Sequence, residues 1–210
     1  MNKPSTVLSD SFAEVIYSTN EMIIAQCYKE NPNEKTKKNN ITQGSVIKVV
    51  SSYDNSYLAF GLVAKINNTS LDNIHKPSAL GLNFNELAEL QPQVYDLLRK
   101  ELEIYLFAHK EKNTPILNHS PLKPMMIHDF VHTASDDEIL ELTKNFPNII
   151  NLIKRNQLNV ELLFSLIMHG YSLRKHDKDY LINAGKELSL AFSDNVDSLM
   201  QLLKRLSQSK

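Results

Sequence analysis

Leu58-Ala59-Phe60-Gly61-Leu62-Val63-Ala64-Lys65-Ile66 sets Leu58, Phe60, Leu62, Ala64 and Ile66 at alternate positions, all apolar. Ala59, Gly61, Val63 and Lys65 lie between them and are mostly small. A period of two with small intervening residues predicts a half-buried strand whose other face is closely approached by neighbouring chain. Just upstream, Gly44-Ser45-Val46-Ile47-Lys48-Val49-Val50 reads as a second strand. Ser51-Tyr53-Asp54-Asn55-Ser56 supplies turn residues between the two.

Working outward, Phe12 to Tyr17 and Met22 to Tyr28 read as strands joined by a turn at Ser18-Thr19-Asn20-Glu21. Four locally connected strands point to an antiparallel meander or small barrel. Lys29 to Gln43 is dominated by Lys, Asn, Glu and Thr, too polar to compensate for its own ordering, and is expected to be a mobile loop. From Ile66 to Leu82 an extended connection is expected, with Pro77 fixing local geometry. Asn85 is a candidate cap for a helix beginning at Glu86, and Pro92 divides it from a second helix over Val94 to Leu102. Ile104 to Ala108 reads as a further strand returning to the barrel.

Lys110 to Thr133 carries Pro115, Pro121 and Pro124 without helical period and reads as an extended linker. Beyond it the texture changes. Ser135-Asp136-Asp137-Glu138 is a capping box, and helices are expected at Asn148–Arg155, Val160–His169, Asp177–Phe192 and Asn195–Ser207. The last carries Val196, Leu199, Met200, Leu203 and Leu206 as a stripe, expected to pack on the protein's own helices or on another subunit. The expected fold is α+β: an N-terminal small antiparallel β-barrel followed by a C-terminal α-helical region. Residues 1–109 form the barrel with an appended helix, 110–134 a proline-containing linker, and 135–210 the helical part.

Composition narrows the function. A net charge of -1 gives no global pull toward nucleic acid or anionic membrane. Cys27 is the one cysteine, so no internal disulfide can form, which fits a reducing compartment. It is expected to serve as a small apolar strand residue. The N-terminus is polar, with no apolar core of signal-peptide length behind it, and the most apolar stretch, Leu158 to Met168, is far shorter than the roughly 20 residues of a membrane span. A cytoplasmic, soluble protein without membrane contact is expected.

The order of parts resembles the stand-alone HAS-barrel proteins of the cyanobacterial type, named for the HerA helicase and ATP synthase subunits. Gly44-Ser45-Val46-Ile47-Lys48-Val49, Phe60-Gly61-Leu62-Val63 and Lys76-Pro77-Ser78-Ala79-Leu80-Gly81 carry the resemblance. Gln91-Pro92-Gln93 and Pro124 followed by Ile127-His128 and Val131 extend it over residues 8 to 135. The resemblance implies an N-terminal barrel of the kind that orders subunits into rings, while a separate P-loop domain handles ATP. No phosphate-loop motif is read in this sequence, so the ATPase is expected to be missing. Gly185-Lys186 has Tyr180 where the first glycine of a phosphate loop would stand, and Glu187 where Ser or Thr would hold magnesium.

Other chemistry is weakly encoded. His128-Asp129-Phe130-Val131-His132 would bring two imidazoles together on a helix, but Pro124 and poor helix formers favour extended chain, separating them by roughly 13 Å. His169 and His176 are expected at a helix end and turn, where cations complement the helix dipole. Asp136, Asp137 and Glu138 suit a helix N-terminus. Lys35, Lys37 and Lys38 near Tyr53 and Tyr57 could line a single-strand groove, diluted by Glu30 and Glu34. No catalytic, cofactor-binding or metal-binding residue is assigned. The function expected is a non-enzymatic protein-interaction or complex-assembly module acting on a protein partner or by self-association. The alternative is a single-stranded nucleic-acid-binding accessory of a helicase or nuclease system; a metal-dependent enzyme using His128 and His132 is the remotest reading.

Overall fold

The computed structural model describes residues 10–29, 40–53, 56–72, 77–193, 200 and 204–205. Among the described residues there are six strands: β1 (Ala13–Ser18), β2 (Met22–Cys27), β3 (Val46–Val50), β4 (Leu58–Ser70), β5 (Leu98–Lys110) and β6 (Phe130–Thr133). Every pair is antiparallel, and the order β1-β2-β5-β4-β3-β6 closes on itself through β6 and β1. Closure leaves no sheet edge along the paired wall.

The lumen is a packed core. Val15, Ile23, Ala25, Ile47, Val49, Ala59, Val63, Leu102, Ile104, Leu106 and Val131 fill it, all fully buried. Six strands enclose a space too narrow for large residues at every inward position, so small side chains are needed. Gly61 marks the tightest point: a Cβ there would lie 2.5 Å from Ile104 Cγ2.

The apolar alternation of β4 has an unexpected orientation. Phe60 and Leu62 point away from the lumen and join the core formed with the C-terminal helices. The small residues Ala59 and Val63 face the barrel interior. The strand is therefore buried on both faces over this stretch rather than on one. Two bulges adjust the pattern. Phe107 is skipped between the pairs Phe60–Ala108 and Gly61–Leu106, which lets Phe107 and Ala108 both enter the helical core. Ala64 is skipped between Val63–Ile104 and Lys65–Glu103, which returns Ile66 to the luminal side.

After β6 come the helices α3 (Asp136–Leu142), α4 (Pro147–Arg155), α5 (Glu161–Leu173) and α6 (Lys178–Ala191). Ile139, Leu142, Phe146, Ile149, Ile150, Ile153, Leu163, Leu166 and Ile167 pack with Val46, Phe60, Leu62 and Phe107 of the barrel wall. The expected capping box is present: Ser135 Oγ accepts from the Glu138 amide and Glu138 Oε2 accepts from the Ser135 amide. Asp177, expected as the first residue of a helix, is instead the cap of α6. Arg174 ties the end of α3 to α5, donating to Thr143 Oγ1 at 2.9 Å, the Gly170 carbonyl at 3.0 Å and the Leu140 carbonyl at 2.7 Å. Its guanidinium stacks on the Tyr180 ring at 4.2 Å. Burial pushes the Tyr180 hydroxyl up to about 12, against the opposing pull of that guanidinium.

Several sequence expectations need correction. β4 runs to Ser70, so the extended connection does not begin at Ile66. The helix after Pro92 ends at Leu97, and Leu98 to Leu102 belong to β5. The helical spacing of Val94, Leu98 and Leu102 is overridden because Leu102, Ile104 and Leu106 also alternate with period two, and all three fill the lumen. The first helix is capped by Asn83 rather than Asn85. Phe130–Thr133, inside the stretch expected to be linker, is the strand that closes the barrel. It is four residues long with one luminal side chain, Val131, too little for a periodic signal. Most of the expected polar loop (30–39) and most of the final helix lie outside the described residues; Met200, Lys204 and Arg205 are helical.

Candidate interaction site

Beyond the barrel, β4 and β5 continue together as a two-stranded ribbon. β2 pairs with β5 only from Glu101 to Tyr105, whereas β4 and β5 stay in register out to Ser70–Leu98. The Leu71 amide donates to the Leu97 carbonyl at 2.9 Å and closes the ribbon end. Two short helices fill the connection: α1 (Phe84–Leu90) and α2 (Pro92–Leu97).

The local chemistry of this tip is well determined. Asn83 Oδ1 accepts from the Asn85 and Glu86 amides at 3.0 Å, and Glu86 Oε2 accepts from the Asn83 amide at 2.8 Å. This reciprocal capping starts α1 without tertiary support. Pro92 occupies the first position of α2, where its missing N–H costs nothing. The two helices touch through an edge-to-face contact of Phe84 with Tyr95, ring centroids 5.2 Å apart. Lys29, just after β2, anchors the tip to the barrel through Asp96 at 2.9 Å and lies over the Tyr95 ring.

What the tip lacks is burial. Neither helix contains a buried residue. Leu90 is 62% exposed and Leu71 56%, with Leu80, Phe84 and Leu97 also exposed. All five lie in the stretch from the end of β4 to the end of α2. Scattered exposed apolar residues are ordinary, but a clustered set marks an interaction surface. Leu122, Met126 and Ile127 are exposed as well, on the irregular chain before β6.

The residues singled out from the sequence are distributed otherwise. His128 sits in a turn at φ 72° and its Nδ1 lies 3.0 Å from Glu14 at the surface. His132 is on β6, which begins only at Phe130, so the two histidines share no helix face and a turn rather than continuous extended chain precedes the strand. Among the described residues there is no group of three or more His, Cys, Asp or Glu that could hold a metal. Asp129, between the two histidines, has a role that sequence reasoning missed. It is fully buried and accepts from the Ser52 amide at 2.6 Å, the Ser52 hydroxyl at 2.8 Å and the Met126 amide at 2.6 Å. The carboxylate thus ties the β3–β4 turn to the chain entering β6.

His176 follows α5 and stacks edge-on against Tyr171 at 5.0 Å. His169 lies within α5, in its last turn and a half. Glu138 completes the cap of α3 and pairs with Lys48 at 2.9 Å. Cys27 ends β2, partly buried against the lumen residues. Gly185 and Lys186 lie inside α6, in regular helix. Tyr53 is 94% exposed, whereas Tyr57 donates to the Lys123 carbonyl and leans on His109. Lys35, Lys37 and Lys38 lie outside the described residues, as do Val196, Leu199, Leu203 and Leu206. Among the described residues no helix is long and apolar enough to cross a membrane.

Comparison of the sequence with protein-family models and with curated proteins returns no match.

Proposed function

We propose that this chain is a non-enzymatic protein-interaction or complex-assembly module built on a HAS-type β-barrel. Residues 8 to 135 motivate the barrel type, through the motifs at Gly44–Val49, Phe60–Val63 and Pro77. One observation carries the functional reading: α1 and α2 hold apolar side chains at the end of a ribbon without burying any of them. A surface of that kind is stabilised when a protein partner covers it. Its occupant is a protein surface with its own apolar patch, because the exposed side chains at the tip are large and apolar.

The test compares the full chain with a Phe84→Ser, Leu90→Ser variant. Partners captured by each are identified by mass spectrometry, and self-association is measured by sedimentation. A named partner, or a self-associated species, that is lost in the variant while the fold is retained supports the proposal. Identical capture and identical mass in both proteins overturn it. Retention on single-stranded DNA that weakens with salt and persists in the variant would put the nucleic-acid reading in its place.

A further inference from the structure

β6 passes directly into α3 through Ala134 and the capping residue Ser135. On its outer face, His132 stands opposite Lys48 of β3. The His132 Nε2 is buried and has no hydrogen-bond partner, while the backbone of Asp10 hydrogen-bonds the ring. Lys48 Nζ donates to both oxygens of Glu138, at 2.9 and 3.1 Å. The same carboxylate accepts from the Ser135 amide at 2.8 Å and so caps α3. One polar cluster therefore joins the barrel wall to the first turn of the helical part, and the charged groups facing the imidazole are Lys48 from β3, Glu138 from α3 and Asp10 from the N-terminal segment.

We propose that this junction is an acid-sensitive clasp, in which protonation of His132 loosens α3 from the barrel wall. A proton added at Nε2 creates a buried N–H that needs an acceptor and a cation beside the Lys48 ammonium. Glu138 is the acceptor on α3, and it is already engaged by Lys48 and the Ser135 amide. Satisfying His132 competes with both the ion pair and the helix cap.

The sign follows from the environment. Burial, then the Lys48 charge, lower the His132 pKa from its ordinary 6.5, and Asp10 and Glu138 oppose this without cancelling it. The folded protein thus holds fewer protons at this site than the unfolded chain. The stabilisation is fully present above 6.5 and is lost as pH falls below that value through the folded pKa.

Amide hydrogen exchange on the full chain, taken from above to below pH 6.5 and corrected for intrinsic rates, reads the clasp directly. Ile139 and Leu142 should lose protection several-fold in the wild type and keep it in His132→Gln, while Ile23 and Ile104 in the lumen respond alike in both. Equal loss at Ile139 and Leu142 in both proteins, or none in the wild type, overturns the proposal. So does a ring titration placing His132 at or above its ordinary value. If His132→Gln does not fold, Lys48→Met provides the second arm: removing the like charge should move the His132 titration upward, and an unmoved titration refutes the coupling.

Discussion

Helices α4, α5 and α6 bury Ile149, Ile150, Ile153, Leu163, Leu166, Tyr180 and Leu188 against one another and the barrel wall, whereas α1 and α2 bury nothing. Both groups are apolar enough to need a partner. The C-terminal helices find theirs in the outer face of β3, β4 and β5, where Val46, Phe60, Leu62 and Phe107 supply a ready surface. The tip is carried away from that surface by its ribbon, so Leu71, Leu80, Phe84, Leu90 and Leu97 stay exposed. The contrast shows that an apolar pattern states a requirement for burial, and that position decides whether the chain meets it internally.

Substitutions at three positions test the contrast. The largest effect is expected from Phe146→Ala, which empties a site only 2% exposed in the helical core. It should cost about 3–5 kcal/mol in denaturant unfolding, and a loss near zero would mean the helices do not depend on this core. Next, Asp129→Ala should cost about 2–3 kcal/mol, because three donors lose their buried acceptor. Asp129→Asn, which keeps one acceptor oxygen, should recover part of that loss; equal stability of the two variants would contradict the assigned role. The smallest effect belongs to the tip. Leu90→Ser should change stability by less than about 0.5 kcal/mol, as exposed substitutions do. A large destabilisation there would show that the tip is covered by the protein itself.

Much of the fold was legible because its signals are local. The β1–β2 hairpin follows from two apolar runs around a polar turn, and α3 from Ser135 and Glu138 three residues apart. The end of α2 was not legible. Leu98 and Leu102 fit a helix and a strand equally, and only pairing with Ser70 and Ile66 of β4 selects the strand. β6 was missed for a similar reason: its role depends on lying between β1 and β3, which are distant in sequence. Of the candidate site, a helix and a break at Pro92 could be read, but with Asn85 rather than Asn83 as the cap. Their exposure could not, since it depends on where the ribbon ends.

The Leu58–Ile66 run determined by itself that a strand forms here, with large side chains on one face and small ones on the other. Side-chain alternation is a property of extended backbone and needs no partner to be legible. Which face turns inward was decided by the tertiary structure. Closing six strands leaves room in the lumen for Ala59, Gly61 and Val63, while the helices that cover Phe60 and Leu62 arrive from the far end of the chain. Curvature and long-range packing set that choice, and neither is written in the spacing of nine residues.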